Sequence, residues 1–302
     1  MPSVDPVTRV RLTPDPRAFL AVAGDCLAAD PVGTTLVATV TARAVADDER
    51  GVVPGPHPRW WLSVHDDDGR VVGLAMRSAP FAPFPAYLLP MPEDAAVALA
   101  RLLHERGESL AAVNGALGPA RALADETVRL SGGTVSVQER TRLWELGELV
   151  DHRAPGRLRV ATADDVPLAT AWWNAFGELA DEMAGRVGSS HASESLTEEQ
   201  LAARVEAGLV WLWEDPDGEV VHLTHHNLPA YGVVRIGPVI TPREHRRRGY
   251  ASAAVAQVSA RLRAEGHRVC LFTDRDNPTS NRIYATIGYR PVVDTASLVI
   301  TR

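Results

Sequence analysis

The chain has 302 residues, 45% of them hydrophobic and 23% charged, and carries a formal net charge of −7. That length suggests about two domains with material for real cores, and the acidic balance argues against a nucleic-acid partner. Cys26 and Cys270 make no disulfide framework, no apolar run nears the roughly 20 residues that span a bilayer, and Met1–Pro6 does not read as a leader, so a cytoplasmic protein without a membrane is expected.

The first half opens with an alternating piece from Val7 to Leu12 and a helix over Ala18–Ala28 that starts near Asp15-Pro16. Thr34–Ala44, rich in threonine and valine, reads as a strand, and Asp47–Pro58, with three prolines and two glycines, as a loop. Trp60–His65, Asp66–Arg70 and Val71–Met76 form an apolar run, an acidic glycine turn and a second apolar run, which is the pattern of a β-hairpin. A proline-punctuated stretch with Tyr87-Leu-Leu follows. Asp94–His104 then reads as a helix stopped at Gly107, Leu110–Val113 as a short strand, Pro119–Leu130 as a helix and Thr134–Val150 as one or two strands.

Asp151–Arg157 is the candidate linker. After it come a strand at Leu158–Ala161, a helix opened by Ala163–Pro167 and running to about Met183, and a loop at Gly185–Ser195. Thr197 and Gln200 make a capping box at the start of a short helix to Ala207. Leu209–Trp213, Glu214–Gly218 and Glu219–His225 repeat the grammar of the Trp60 hairpin half a chain later, so the chain reads as a tandem of two related halves, 1–150 and 158–302.

The second half holds the chemistry. An apolar strand, Val233–Ile240, leads into Thr241-Pro-Arg-Glu-His-Arg-Arg-Arg-Gly-Tyr-Ala-Ser252 and a helix over Tyr250–Ala264 with Val255, Val258 and Leu262 at core spacing. Arg246, Arg247 and Arg248 crowd the place where Gly249 turns the backbone into the helix. A helix N-terminus offers unpaired N–H groups to an anion, glycine permits its close approach, and arginine adds bidentate charge. A local basic cradle in an acidic protein suits a small polyanion. Beyond the strand Val269–Phe272, Asn277-Pro278 reads as N-cap and N1 of a last helix, on which Asn281 and Tyr284 share a face and which Gly288 closes before Tyr289.

These residues carry a resemblance. Arg246-x-x-Gly249-x-Ala251, followed by Asn277-Pro-x-Ser-Asn281-x-x-Tyr284-x-x-x-Gly288-Tyr289, resembles the GNAT superfamily of acyl-CoA-dependent N-acyltransferases. The likeness covers Leu158–Arg302. The first half resembles the same fold only in its hairpin and element order, and its Tyr87–Asp94 stretch has no pyrophosphate loop. The resemblance implies an α/β fold of two tandem GNAT-like domains with a mixed, twisted sheet, the first degenerate. It implies a V-shaped opening for the pantetheine arm of acetyl-CoA, bounded by backbone of Val239, Ile240 and Thr241. Pyrophosphate would lie against the N–H groups of Arg247, Arg248, Gly249, Tyr250, Ala251 and Ser252 beside Arg246, with Asn277 and Asn281 along the pantetheine. The implied reaction is attack of a primary amine of a small molecule or peptide on the thioester, the N–H near Ile240 polarising the carbonyl and Tyr284 protonating the departing thiolate. No metal is expected.

The base is open. Arg235 stands where the family often places a carboxylate. The candidates are His222, His225 and His226, which read most simply as a surface histidine cluster, and Glu178, Asp181 or Glu182 on the first helix of this half. Without a working base the same cradle would make a non-catalytic acyl-CoA sensor.

Overall fold

The computed structural model describes residues 9–183 and 195–302. The chain divides into two compact units, Met1–Thr141 with Asp294–Arg302, and Arg142–Val293. The expected division, 1–150 and 158–302, therefore misses a feature: the last nine residues belong with the first unit.

The first unit runs β1 (Arg9–Thr13), α1 (Pro16–Ala29), α2 (Thr35–Glu49), β2 (Trp60–His65), β3 (Val71–Arg77), β4 (Ala86–Leu88), α3 (Glu93–Glu105), β5 (Ala112–Gly115), α4 (Leu117–Ser131) and β6 (Thr134–Leu146). The second repeats that order: β7 (Arg157–Val160), α5 (Val166–Met183), α6 (Glu198–Glu206), β8 (Val210–Glu214), β9 (Val220–His226), β10 (Val233–Ile240), α7 (Tyr250–Ala264), β11 (Arg268–Asp274), α8 (Pro278–Ile287) and β12 (Tyr289–Thr301). In each unit three antiparallel neighbours lead to one parallel pair, β4 with β5 and β10 with β11. A helix, α3 or α7, makes each parallel crossover, as a parallel pair requires.

Local signals explain most of the boundaries. Asp15 accepts from the Arg17 N–H at 2.8 Å and caps α1, with Pro16 in its first turn. Thr197 and Gln200 close their capping box around the start of α6. The two hairpins form as expected, the acidic turns supplying side-chain caps: Asp66 holds the Arg70 N–H at 2.8 Å, and Asp215 those of Asp217 and Glu219 at 3.0 Å each.

One expectation fails. Thr34–Ala44 is not a strand but most of α2. Thr35, Val37, Ala38 and Thr41 fall on one helical face and are buried. Thr41 Oγ1 receives the indole N–H of Trp61 at 2.9 Å, and Thr39 Oγ1 bonds back to the Thr35 carbonyl at 2.8 Å. Burying that face outweighs the strand preference of β-branched residues.

In the first unit β5 pairs antiparallel with the end of β12, Ala296 opposite Gly115 through Val299 opposite Ala112. Leu298 and Ile300 enter the core formed by Trp60, Leu62, Leu88, Leu99, Val113 and Leu123. Ser297 donates to Asn114 at 2.7 Å. A second buried feature is Arg77, whose guanidinium reaches Glu108 at 2.7 Å and the carbonyls of Phe84 and Ser109, while Trp60 also donates to Glu108. Every donor nitrogen of that arginine is occupied, as a buried charge requires. In the second unit α7 and α8 cover one face of the sheet through Val255, Val258, Leu262, Tyr284 and Ile287, and α5 and α6 cover the other through Ala169, Leu201 and Val205. Among the described residues no helix is long and apolar enough to cross a membrane.

Leu298 is wholly buried. Leu298→Ala is expected to cost about 2–5 kcal/mol in denaturant unfolding; an unchanged midpoint would take the C-terminal strand out of the first unit's core.

Candidate functional site

The site begins where two strands part. The parallel ladder joins Val233–Ile236 to Arg268–Leu271 and stops there, although β10 continues to Ile240 and β11 to Asp274. On its other edge β10 stays paired, Val239 opposite Thr224 and Ile240 opposite Leu223, after a register shift that follows Ile236 opposite His226. The shift is a bulge, two residues of β10 against one of β9, and a bulge bends the strand that carries it. Val239 and Ile240 thus have ladder partners on β9 and none on β11. Of the three expected backbone positions, these two border the gap, and Thr241 lies just past the strand end.

The gap leads to the arginine loop. Thr241 is its anchor: its carbonyl accepts from Arg246 Nε at 3.0 Å, and its hydroxyl meets His222 Nδ1 at 2.7 Å. A short 3₁₀ turn, Arg243–His245, follows Pro242. Arg247 and Gly249 both take left-handed φ, 64° and 84°. For Arg247 that conformation is costly, and for Gly249 it is the reason for glycine, since a Cβ there would meet nothing closer than 3.8 Å. No side chain caps α7; Ala253, bonded to the Gly249 carbonyl at 3.0 Å, is the first residue of the helical ladder. The N–H groups of Tyr250, Ala251 and Ser252 therefore lie outside the helical ladder, and the first turn carries no acid. Arg247 and Arg248 are exposed and Arg246 half-buried. The Tyr250 ring is turned inward, packed against Trp213 with centroids 6.4 Å apart, so that residue offers only its backbone.

The last helix is built as its sequence suggests. Asn277 caps it, accepting from Thr279 and Ser280 N–H at 3.1 and 3.2 Å. Asn281 spends both ends of its amide on the protein: Oδ1 accepts from Thr273 at 2.7 Å and Nδ2 donates to the Arg275 carbonyl at 2.8 Å. Thr273 in turn accepts from Trp144 at 2.9 Å. Both asparagines thus brace the turn between β11 and α8. The two tyrosines divide differently. Tyr289 bonds Ser259 at 2.7 Å inside the core. Tyr284, buried and edge-on to Tyr289 at 5.9 Å, has no hydrogen bond on its hydroxyl from any described residue. Burial raises its pKa, so it keeps its proton.

The histidines are not a surface cluster. His222, His225 and His226 are all buried. His222 lies between two threonine hydroxyls, Thr241 and Thr224, each 2.7 Å away, and burial pushes its pKa down to about 3. His225 bonds the Gly237 carbonyl at 2.7 Å and meets the edge of Trp173 at 4.9 Å; burial sends it to about 3 as well. His226 is lowered chiefly by burial, and its charged neighbours are Glu265 and His267. Continuous apolar packing on both faces of β9 hides a run whose composition looks polar. Glu178 is exposed. The loop Gly185–Ser195, except Ser195, and the side chains of Asp181 and Glu182 lie outside the described residues. Among the described residues no group of three or more His, Cys, Asp or Glu could hold a metal.

The segment Asp151–Arg157 has a role that its composition hid. Trp213 donates to the Pro155 carbonyl at 2.8 Å, and Arg153 and Ala154 lie 3.8 Å from where a Gly249 side chain would begin. It backs the turn.

The same place in the first unit is shut. Leu88 pairs with Gly115, the last residues of β4 and β5, and the Ala116 N–H bonds the Leu88 carbonyl at 2.9 Å. A Cβ on Gly115 would fall 2.0 Å from that carbonyl oxygen, so only glycine allows this closeness. Glu93 and Asp94 stand in the first turn of α3, where α7 has no acid.

Residues 217–298 match a family model described as FR47-like protein. The solved structure of a GCN5-related N-acetyltransferase from Sphaerobacter thermophilus superposes with a TM-score of 0.58 at 17% identity, covering 96% of this chain and 94% of that one. The chain has the GNAT fold. A GNAT-family acetyltransferase from Colwellia psychrerythraea gives 0.54 at 12% identity, covering 97% of this chain and all of that one. A tandem GNAT protein from the clavulanic acid biosynthesis pathway gives 0.52 at 15%, covering 97% and 98%. No curated protein matches the chain by sequence. The repeated element order and the near-complete coverage make this a tandem GNAT fold.

Asn277→Ala should lower stability by about 1 kcal/mol, with Asn277→Asp close to the parent. Thermal melts of the three proteins check this.

Proposed function

We propose that the second unit is an N-acyltransferase that takes acetyl from acetyl-CoA and delivers it to a primary amine of a small molecule or peptide. The parting of β10 from β11, leading to a left-handed turn and an uncapped helix N-terminus, carries the reading. The residues fit the donor: backbone beside the gap for the amides of an extended arm, and the N–H groups of Arg247–Ser252 with Arg246–Arg248 for a pyrophosphate. The bound thioester would supply the activated acyl group.

The chain's own part is positioning and proton supply. Val239 and Ile240 hold one edge of the gap, and an N–H near Ile240 is placed to polarise the acyl carbonyl. The Tyr284 hydroxyl, unengaged and held protonated, is suited to supply a proton to a departing thiolate. Asn277 and Asn281 act by fixing α8 and therefore Tyr284. The first unit, closed at Leu88 and Gly115, is read as a degenerate copy without a donor site, which predicts one coenzyme per chain.

A non-catalytic acyl-CoA sensor is the alternative. It is favoured by Arg235 on β10 and by histidines whose depressed pKa makes them poor proton sinks. Coenzyme-induced thermal stabilisation without thiol release across a broad amine panel would select it.

Tyr284→Phe should bind coenzyme A as the parent does and lose about 10²–10⁴-fold in kcat; unchanged turnover removes Tyr284 from the chemistry. Because burial raises the group above its ordinary value of about 10, its proton is lost only at still higher pH, and kcat should hold between pH 7 and 9.5. Gly249→Ala puts a side chain at φ 84° and should weaken coenzyme A binding about tenfold in calorimetry, with the fold retained.

A further inference from the structure

We infer that His225 holds the acceptor amine, its Nε2 receiving the amine N–H at the point where β10 leaves β11. The inference rests on the acyltransferase reading and adds to it the residue that receives the acceptor. Gly237 is the first residue of β10 beyond the last rung shared with β11, Ile236 opposite Leu271. On the β9 side, Ile236 faces His226 and Val239 faces Thr224, so Gly237 and Pro238 stand against the single residue His225. The bulge takes the Gly237 carbonyl out of the ladder, and His225 Nδ1 recovers it at 2.7 Å.

That bond settles the tautomer. A carbonyl has no proton to give, so Nδ1 carries the hydrogen and Nε2 carries the lone pair. The ring is 3% exposed and flanked by the edge of Trp173, yet Nε2 has no hydrogen bond to any described residue. His222 does not offer this, since both its nitrogens are on threonines. His226 also gives Nδ1 to a carbonyl, that of Asn227 at 3.1 Å, but it faces Ile236 on the last rung before β10 leaves β11, and its charged neighbours are Glu265 and His267. The first unit has no counterpart: the rungs that join β3 to β4 run in unbroken register, with Met76 opposite Tyr87.

Direction follows from the strand. A donor anchored at Arg246–Ser252 and laid along Thr241, Ile240 and Val239 has its reacting end toward Gly237, the closed end of the gap. An acceptor must meet it there. A locked lone pair at that spot can hold an amine N–H and turn the nitrogen's own lone pair toward the acyl carbon, which is the kind of alignment that speeds a transfer. His225 is thus a binding and orienting group for the acceptor.

The test uses full-length protein with histidine labelled in ¹⁵N, saturated with coenzyme A, to which phenethylamine, spermidine and lysine are added in turn. The His225 Nε2 resonance is expected to be that of an unprotonated nitrogen and to move with whichever amine gives thiol release from acetyl-CoA, while His222 stays still. In a second arm, His225→Asn keeps an N–H for the Gly237 carbonyl but is too short to place an acceptor where Nε2 stands. It should retain coenzyme A affinity and melting temperature and lose about tenfold in kcat/KM for that amine, the size of one hydrogen bond. A motionless resonance in a protein that releases thiol overturns the role of His225 alone, and the resonance arm decides even if His225→Asn does not fold. If none of the three releases thiol, the amines are extended to a broad panel, and coenzyme-induced stabilisation without thiol release across that panel overturns the acyltransferase reading, and this inference with it.

Discussion

A strand cannot serve two neighbours once it bends away from one of them. β10 gives up β11 after Ile236 and keeps β9, and much of the second unit's polar wiring answers that choice. The bulge at Gly237–Pro238 orphans a carbonyl, which His225 takes. Past the strand, Thr241 becomes a fixed point because His222 holds its hydroxyl and Arg246 its carbonyl. From there the chain reaches Arg247 and Gly249, two left-handed residues on either side of Arg248, before α7 begins. The cost of leaving backbone groups unpaired is tolerable only where a ligand or water can satisfy them.

The two units show what the bend changes. Their elements follow one order, yet the first keeps its parallel pair together to the last residue, with Gly115 pressed on the Leu88 carbonyl. Acidic side chains then settle at the start of α3, where they favour the helix dipole and would repel an anion. A closed ladder gains hydrogen bonds and loses a site. The first unit also depends on the chain's far end, since Leu298 and Ile300 complete its core.

Much of the fold could be read without coordinates. The hairpins announced themselves through alternating apolar runs around acidic glycine turns, and Asp15-Pro16, Thr197–Gln200 and Asn277-Pro278 marked helix starts because capping is local chemistry. The spacing puts Tyr284 on one helical face with Asn281, while the acid role comes only from the GNAT resemblance. Three things were hidden. Thr34–Ala44 has strand-like residues, but Trp61 and the surrounding core select a helix. His222, His225 and His226 look polar enough for a surface, and only packing on both faces of β9 buries them and disfavours their charged form. Asp151–Arg157 has a linker's composition, while its backbone braces Trp213 and the turn at Gly249.

The sequence by itself determined the tandem, the helix caps, the arginine loop with its glycine, and the order of motifs that marks the second half. These are properties of neighbours along the chain: turn geometry, capping and side-chain period act over a few residues. Only the tertiary structure decided that β10 and β11 part while β4 and β5 stay joined, that residues 294–302 return to the first unit, and that the Tyr284 hydroxyl and one nitrogen of His225 are left unengaged. Those facts depend on pairings between residues far apart in sequence, and on burial, which no short stretch of sequence contains.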